Sequence, residues 1–348
     1  MIVPTNVKIR PGDIEHDRDT AIRLLRKYVN PAYDRKRFDW LYHAGPAGPG
    51  RLWMAEDASA GEPVGMAGAF PRRMVTERGP ITGWLLGDFC VAETHRALGP
   101  ALQLQRACLD DLAADGAPFC YDFPGRSMEA IYRRLRIVPS VAFRRMVKPL
   151  RVSHRLRQRA GHLAGMAGRA VDLALAWACR PPRLTGGMAV AVHTGRCGVE
   201  FSELAGRVGA AHGICGERSA EYLNWRYLDS PLGRHELLTA RSNGTLVGYA
   251  AVAREGSTAT LVDIFSVADD AVSSGLVRHA VAWLWSRGVT DVRVAVAASD
   301  RWRAGLTRMG FRPRGESPVV MHALPGAAAD STMLQHSAWF LTYGDRDD

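Results

Sequence analysis

A pattern of residues occurs twice along the chain, and this repeat limits the fold to two similar halves. The matched residues are Trp40 and Trp225, Tyr42 and Tyr227, Val64-Gly65 and Val247-Gly248, and Asp88 and Asp263. The distances between partners are 185, 183 and 175 positions, and they differ only by the length of a surface loop. Self-similarity at a long, nearly constant spacing indicates one folding unit that is present twice.

Each half has the alternation of strand and helix patterns that is typical of an α/β protein. Residues 7–29 begin the first half with a strand, a turn and a helix whose apolar residues include Ile22, Leu25 and Val29. Two hairpin strands follow, and then strand, helix, strand and helix in succession. In the second half Ser242-Asn243-Gly244 predicts the hairpin turn, because Asn and Gly tolerate a positive φ. We therefore expect an α/β fold with a separate sheet in each half.

Composition excludes several classes of protein. The 348 residues are 47% apolar and 23% charged, which is an ordinary globular mixture and excludes a disordered or collagen-like chain. No apolar stretch reaches the length of about 18 residues that a transmembrane helix needs, and the N-terminus does not resemble a secretory signal. We therefore expect a cytoplasmic protein. The six cysteines form no C-x-x-C pair and the eleven histidines no H-x-x-x-H pair, so neither disulfides nor a metal site is predicted.

Positive charge is concentrated between the two halves. The net charge is +10, and residues 130–171 hold eleven Lys and Arg side chains without one acidic residue. We interpret residues 150–188 as a basic, amphipathic linker whose helix packs on one domain, because its apolar face is rich in Ala and Gly. Peripheral contact of residues 150–180 with a membrane is the less favoured alternative. Binding of nucleic acid is not predicted, because no aromatic residues are interleaved with the arginines.

The segment after the Asp88 strand has the composition of a phosphate-binding loop. The strand ends at Val91, and Arg96, Gly99 and Ala101 follow in the spacing Arg-x-x-Gly-x-Ala, where a helical pattern starts. A helix N-terminus offers unpaired backbone N–H groups and the positive end of a dipole, and small residues let a phosphate approach the backbone. The spacing matches neither the Rossmann fingerprint nor the Walker loop.

This loop resembles the pyrophosphate loop of the GCN5-related N-acetyltransferase family, Gln/Arg-x-x-Gly-x-Gly/Ala. Residues 7–17 are similar to the first strand and turn of that family, and residues 125–135 are similar to its later helix motif, with Tyr132 at the position of a family tyrosine. In the second half Arg308-Met309-Gly310-Phe311 resembles the Gly-Phe that ends a family helix. The loop of the second half contains Asp269-Asp270 instead of Arg-x-x-Gly, and these carboxylates should repel pyrophosphate.

The resemblance implies two tandem domains of this family, each a mixed and mostly antiparallel sheet flanked by helices. The expected boundaries are 1–149 for an acetyl-CoA-binding domain, 150–188 for the linker, 189–325 for a degenerate domain and 326–348 for a C-terminal tail. Pro100, Gly125 and Arg136-Ile137 depart from the family pattern and leave open a first domain without activity.

The resemblance also implies the residues of the site. An amine would attack acetyl-CoA directly in a ternary complex, with Asp88 or Glu93 as the base and Tyr132 as the acid that protonates the departing CoA thiolate. Backbone N–H groups of the strand at residues 89–91 would polarise the thioester carbonyl. The implied cofactor-binding residues are Phe89, Cys90, Val91, Arg96, Ala97, Leu98, Gly99, Ala101, Leu102 and Ser127. No metal is implied.

The predicted function is therefore transfer of an acetyl group from acetyl-CoA to the primary amine of a small molecule or an amino sugar. Three alternatives stay open: a longer acyl-CoA or an aminoacyl-tRNA as the donor, a non-catalytic acyl-CoA-binding or regulatory protein, and a role in the assembly of a surface polysaccharide. The Arg-x-x-Gly-x-Ala loop favours CoA over tRNA. The sequence does not specify the oligomeric state.

Overall fold

Strands and helices alternate in the first half as the sequence predicts. The computed structural model describes residues 7–96, 98–181, 183–184, 186–325 and 339–347. The elements of the first half are β1 (Val7–Pro11), α1 (Arg18–Tyr28), α2 (Arg35–Tyr42), β2 (Arg51–Asp57), β3 (Pro63–Thr76), β4 (Gly79–Val91), α3 (Leu98–Ala114), β5 (Phe119–Asp122), α4 (Arg126–Arg134) and β6 (Pro139–Pro149). Helix α1 buries one apolar face against the sheet, and α2 begins at Asp34, whose side chain accepts the Arg37 backbone N–H.

The second half follows a similar order after a long helix. Helix α5 (Ser153–Ala178) joins the halves. The remaining elements are β7 (Met188–Val192), α6 (Val199–Val208), β8 (Ile214–Gly216), α7 (Ala220–Leu223), β9 (His235–Ser242), β10 (Thr245–Glu255), β11 (Thr258–Ser266), α8 (Asp270–Ser286), β12 (Asp291–Ala297), α9 (Asp300–Arg308), β13 (Arg312–Ala323) and β14 (Trp339–Thr342). The predicted turn between β9 and β10 is confirmed, with φ values of 48° at Asn243 and 84° at Gly244.

A single mixed sheet runs through both halves, so the expectation of two separate sheets is wrong. The strand order is β1-β2-β3-β4-β5-β13-β6-β12-β11-β10-β9-β7. Strand β13 of the second half pairs with β5 of the first, and β6 of the first half pairs with β12 of the second. The halves thus exchange β6 and β13. Most neighbours are antiparallel, whereas β4 with β5, β11 with β12 and β14 with β8 are parallel.

Two tryptophans from matched positions meet between the halves. The rings of Trp40 and Trp225 stack with centroids 4.6 Å apart. The indole N–H of Trp40 donates to the carbonyl oxygen of Trp225 at 2.9 Å, and the indole N–H of Trp225 donates to the carbonyl oxygen of Trp40 at 3.0 Å. Both side chains are buried. The contact is reciprocal, as expected for two copies of one unit that face each other.

Helix α5 is folded back on itself at Gly161, which the sequence analysis did not predict. Gly161 has a φ of +81°, outside the helical range. The Asp172 carboxylate accepts the backbone N–H of Val152 at 2.6 Å. Twenty residues of straight helix would separate these groups by about 30 Å, so the two arms of α5 must lie side by side. Among the described residues, no helix has both the length and the apolar character needed to cross a membrane.

Candidate functional site

Strands β4 and β5 diverge in the first half, and the turn after β14 reaches into the opening between them, where Tyr121 Oη donates to the carbonyl oxygen of Asp345. They pair only at Trp84 with Cys120 and at Leu85 with Tyr121. Beyond that point β4 contains a bulge, because Met66 of β3 pairs with Cys90 while Gly68 pairs with Gly87. A bulge next to a strand end redirects a side chain and disrupts the ladder of hydrogen bonds.

Asp88 lies in this bulge with a strained backbone. Its φ is 47°, in the left-handed region that few non-glycine residues adopt. The side chain is buried, and Tyr33 Oη donates to Asp88 Oδ2 at 2.5 Å. A Cβ at Gly68 would lie 3.2 Å from Asp88 Cβ and would overlap the Tyr42 hydroxyl. The absence of a side chain at Gly68 therefore leaves the space in which Asp88 and Tyr42 approach each other.

The surroundings of Asp88 favour its neutral form. Burial, followed by the negative charge of Asp347, raises the pKa of Asp88 to about 7, although Tyr33 and Arg37 act in the opposite direction. Asp347 lies against Gly87, where a Cβ would overlap its carboxylate. A carboxyl group with a pKa near 7 exchanges a proton readily at neutral pH. Asp88 therefore has the ionisation of a general base.

The matched aspartate of the second half has the opposite surroundings. Arg218 Nε donates to Asp263 Oδ2 at 2.8 Å, and three hydroxyls donate to the same carboxylate, from Tyr249 at 2.6 Å, Tyr227 at 3.0 Å and Thr342 at 2.9 Å. Burial alone would raise the pKa of Asp263, but the Arg218 charge and the donors outweigh it and lower the pKa. Arg218 lies 185 positions after Tyr33, the spacing that also relates the two tryptophans. The two matched aspartates thus differ in their partners: Asp263 is paired with the Arg218 cation, and Asp88 with the Tyr33 phenol.

Tyr132, the predicted acid, is bound to a second carboxyl group that the sequence analysis missed. Tyr132 Oη donates to Asp122 Oδ2 at 2.7 Å, and Tyr132 is buried. Burial raises the pKa of Asp122 to about 7 and raises the pKa of Tyr132 well above its ordinary value. Asp122 ends β5, on the opposite arm of the opening from Asp88. The acid role of Tyr132 stays a prediction, with Asp122 as its neighbour.

The predicted phosphate loop lies at the edge where β4 ends. A short 3-10 helix, Glu93–His95, precedes α3, and His95 Nε2 is 2.7 Å from Asp57 Oδ2, a contact that holds the loop against β2. Arg96 is exposed, and Gly99, in the first turn of α3, would have no neighbour within 4 Å of a Cβ. Open space beside an N-terminal turn is what an anion needs in order to reach the backbone.

The other predicted site residues lie around the same edge. Helices α3 and α4 follow two parallel neighbouring strands, so both begin at one edge of the sheet, and Ser127 is exposed in the first turn of α4. Ala101 and Leu102 are half-buried in α3, Phe89 is half-buried, and Cys90 and Val91 are buried at the end of β4. The Leu98 backbone begins α3, and Ala97 lies outside the described residues. The site roles of these residues stay predictions.

Glu93, the alternative base, differs from Asp88 in its exposure. Its side chain is exposed, and Glu93 Oε1 lies 3.8 Å from the Arg96 guanidinium. The six cysteines are buried, and burial raises the pKa of Cys90 to about 12, which keeps that thiol protonated. In the part of the chain that the structure describes, no cluster of His, Cys, Asp and Glu could hold a metal ion.

In the second half, β14 occupies the place where β11 and β12 separate. Strands β11 and β12 pair only up to Leu261 and Val294, and β14 pairs with β12 beyond that point, at Val296 and Ala297. At the start of α8 the Asp269 carboxylate accepts the Ala271 N–H at 2.7 Å. The α8 N-terminus is therefore capped by its own chain, and a cavity of about 350 Å³ lies beside it, lined by Asp269, Asp270, Arg301 and Trp302 among others.

Solved structures with the same fold belong to acyltransferases. A GCN5-related N-acetyltransferase from Anabaena variabilis matches with a TM-score of 0.65 at 11% identity, over 92% of this chain and 73% of the other. N-myristoyltransferase of Saccharomyces cerevisiae with bound myristoyl-CoA matches with a TM-score of 0.59 at 11% identity, over 97% and 89%. The glucosamine N-acetyltransferase region of a fungal β-N-acetylglucosaminidase matches with a TM-score of 0.56 at 13% identity, over 92% and 38%.

These likenesses define the class of fold. No protein-family model and no curated protein sequence matches this chain. The chain has the fold of the GCN5-related N-acetyltransferases, and the resemblance noted in its sequence is confirmed at the level of the fold. Its α/β architecture with a large mixed sheet agrees with that class.

Proposed function

We propose that the chain is an acyl-CoA-dependent N-acyltransferase whose reaction site is the opening between β4 and β5. The fold and the divergence of β4 and β5 beyond Leu85 support this assignment. We propose acetyl-CoA as the donor and the primary amine of a small molecule or an amino sugar as the acceptor. A glucosamine N-acetyltransferase region among the similar structures supports the amino-sugar choice.

Asp88 carries the proposal. It is a buried carboxyl group with a pKa of about 7, on a strained bulge, where β4 no longer pairs with β5. Its counterpart Asp263 is paired with Arg218, in the half where β14 pairs with β12. Perturbed carboxyl groups collect at reaction sites, whereas paired ones support a structure. The difference between the two halves therefore favours a chemical role for Asp88.

The proposed reaction uses groups on both arms of the opening. The amine nitrogen attacks the thioester carbonyl carbon, the carbon–sulfur bond breaks, and the amine proton passes to Asp88. The CoA thiolate accepts a proton from Tyr132, which is hydrogen-bonded to Asp122. Backbone N–H groups at the bulge would stabilise the carbonyl oxygen as it gains charge. Arg96 and the first turn of α3 would hold the CoA phosphates.

The donor site is tested by calorimetric titration of acetyl-CoA. We expect one binding site in the wild type and at least about tenfold weaker binding in Gly99→Glu, because a carboxylate would repel phosphate at the α3 N-terminus. Gln103→Glu adds the same charge to the exposed side of α3 beyond its first turn and is the matched control. Wild-type protein that does not bind, or binding that is equal in Gly99→Glu, would contradict the donor site.

The base is tested by release of CoA thiol in the presence of amines. We expect Asp88→Asn to lower kcat by about 10²-fold or more, while the affinity for acetyl-CoA stays unchanged. Acetyl-CoA binding without thiol release for any amine in the wild type would favour the non-catalytic alternative. Full activity of Asp88→Asn would assign the base to another group, of which Glu93 is the first to test.

A further inference from the structure

The second arm of α5 turns its apolar side toward solvent. Five large apolar residues of this arm are between 46% and 81% exposed, and we call them the outer face of α5: Leu163, Met166, Val171, Leu173 and Trp177. At about 100° per residue these positions fall within an arc of about 160°, so they lie on one side of a helix. A helix of a globular protein normally buries such a side against the core, so this orientation is reversed.

The polar side of the same arm holds the two arms of α5 together. The Asp172 carboxylate accepts the N–H groups of Val152 and Ser153. A Cβ at Gly168 would lie 2.6 Å from Ser153 Cα, so the arms touch at a glycine. These contacts fix the rotation of the second arm about its axis. The outer face is exposed because the opposite side of the helix packs against the first arm.

Apolar surface continues from the outer face into a groove at the base of α5. Leu173 and Trp177 line this groove together with Val190 and Val192 of β7 and with Trp283 and Trp285 of α8. Its volume is about 740 Å³. The outer face and the groove form one continuous apolar surface, whereas soluble proteins normally expose apolar residues singly. Continuous apolar surfaces of this kind mark sites of interaction.

Positively charged side chains lie on and next to this surface. Between positions 150 and 199 the sequence contains eight arginines and a single acidic residue, Asp172. That carboxylate is already bonded within α5. Arg169, Arg180 and Arg183 are exposed on or next to the second arm. The surface therefore combines apolar side chains with three exposed arginines.

This combination selects one kind of partner. Two copies of the chain that met through the outer face would bring like charges together, which opposes association. A bilayer with anionic headgroups offers hydrocarbon to the apolar side chains and negative charge to the arginines, and an exposed Trp is well suited to the boundary between them. We propose that the outer face of α5 binds the surface of an anionic lipid membrane.

The membrane proposal goes beyond the proposed acyl transfer and does not depend on it. The Ala- and Gly-rich composition of residues 150–188 favours a linker helix that packs on one domain. The fold at Gly161 instead places Leu163, Leu173 and Trp177 on the exposed side. These are the large anchors that membrane contact requires.

Co-sedimentation of the full chain with vesicles tests this surface. Vesicles of phosphatidylcholine alone are compared with vesicles in which phosphatidylglycerol replaces about a third of the lipid. We expect binding to the anionic vesicles, release at high salt, and little binding to the neutral vesicles. Leu163→Glu with Leu173→Glu should lower the fraction bound by more than about tenfold. Arg180→Glu with Arg183→Glu should lower binding to the anionic vesicles only.

Controls separate loss of the surface from loss of the fold. Val199→Glu changes an equally exposed apolar residue outside α5 and should bind as the wild type does. Circular dichroism and the unfolding temperature should be the same in all variants. Wild-type protein that stays in the supernatant, or a Leu163→Glu with Leu173→Glu variant that binds as well as the wild type, overturns the proposal. A wild-type dimer that this variant converts to a monomer also overturns it, because a second copy would then cover the face.

Discussion

Asp88 and Tyr33 form a pair whose ionisation governs the proposed reaction. Asp88 accepts an amine proton only when it is ionised, so kcat should rise with pH and level off above the pKa of about 7. The Tyr33 hydroxyl lowers that pKa by donating to the carboxylate. Tyr33→Phe removes the donor, so the pKa rises and the rising limb of the profile should move to higher pH. The measurement is kcat as a function of pH for the wild type and for Tyr33→Phe.

A matched substitution in the second half serves as the control. Tyr249→Phe removes a similar hydroxyl from Asp263, and it should leave the position of the limb unchanged because Asp263 is paired with Arg218. Two results would rule out Asp88 as the titrating base: a kcat that does not depend on pH between about 5 and 9, or a kcat that rises at the same pH in Tyr33→Phe as in the wild type.

Single residues could be predicted from the sequence only where the two halves are alike. Asp88 was found because Asp263 repeats it, and Arg96 and Gly99 were found because a family loop has the same spacing. Tyr33 was missed because the matched position holds Arg218, and a search for identical residues passes over a substitution. Asp347 was missed because it reaches the bulge from 259 positions further along the chain, a contact that no local pattern encodes.

Strand β14 and the turn after it form an element whose stability depends on one buried cation. Arg218 bonds Asp263 at 2.8 Å and Asp345 at 2.7 Å, and all three side chains are buried. Arg218→Leu would leave two buried carboxylates without a cation, so we expect the free energy of unfolding to fall by about 3–5 kcal/mol. Urea denaturation measures this change.

An exposed ion pair provides the comparison for that substitution. Arg196 binds Asp229 through two bonds of 2.8 Å, but both side chains are largely exposed to solvent. Arg196→Leu should therefore unfold at nearly the same urea concentration as the wild type. Equal destabilisation by the two substitutions would show that burial does not set the strength of the Arg218 contacts.

The sequence predicts which segments form strands and helices better than it predicts which strands pair with each other. The strands and helices of both halves follow from the alternation of apolar residues, which is a local property. The 326–348 segment was expected to be a tail, with Trp339 and Phe340 as its exceptions, whereas residues 339–347 form β14 and a turn between the halves. The pairing of β14 with β12 and β8 depends on contacts more than 40 positions away in sequence, which periodicity does not reveal.

The exchange of β6 and β13 makes the molecule one structural unit. The expected boundaries at 149 and 189 follow the sequence repeat, but β6 and β13 lie side by side at the centre of the sheet, each next to a strand of the other half. The stacked Trp40 and Trp225 join the halves at a second place. Sequence periodicity identifies a repeat without telling whether a strand stays in its own half, because both arrangements bury the same residues.

Separate expression of the two halves tests whether they depend on each other. Residues 1–151 alone would leave β5 without β13 and expose the edge of β6, and residues 187–348 alone would leave β12 without β6. Unpaired edges beside buried apolar strands cause aggregation, so we expect each fragment alone to be insoluble or unfolded. Co-expression should give a soluble one-to-one complex with the circular dichroism of the intact chain. A monomeric 1–151 fragment with cooperative unfolding would contradict the mutual dependence and would favour two domains that fold independently.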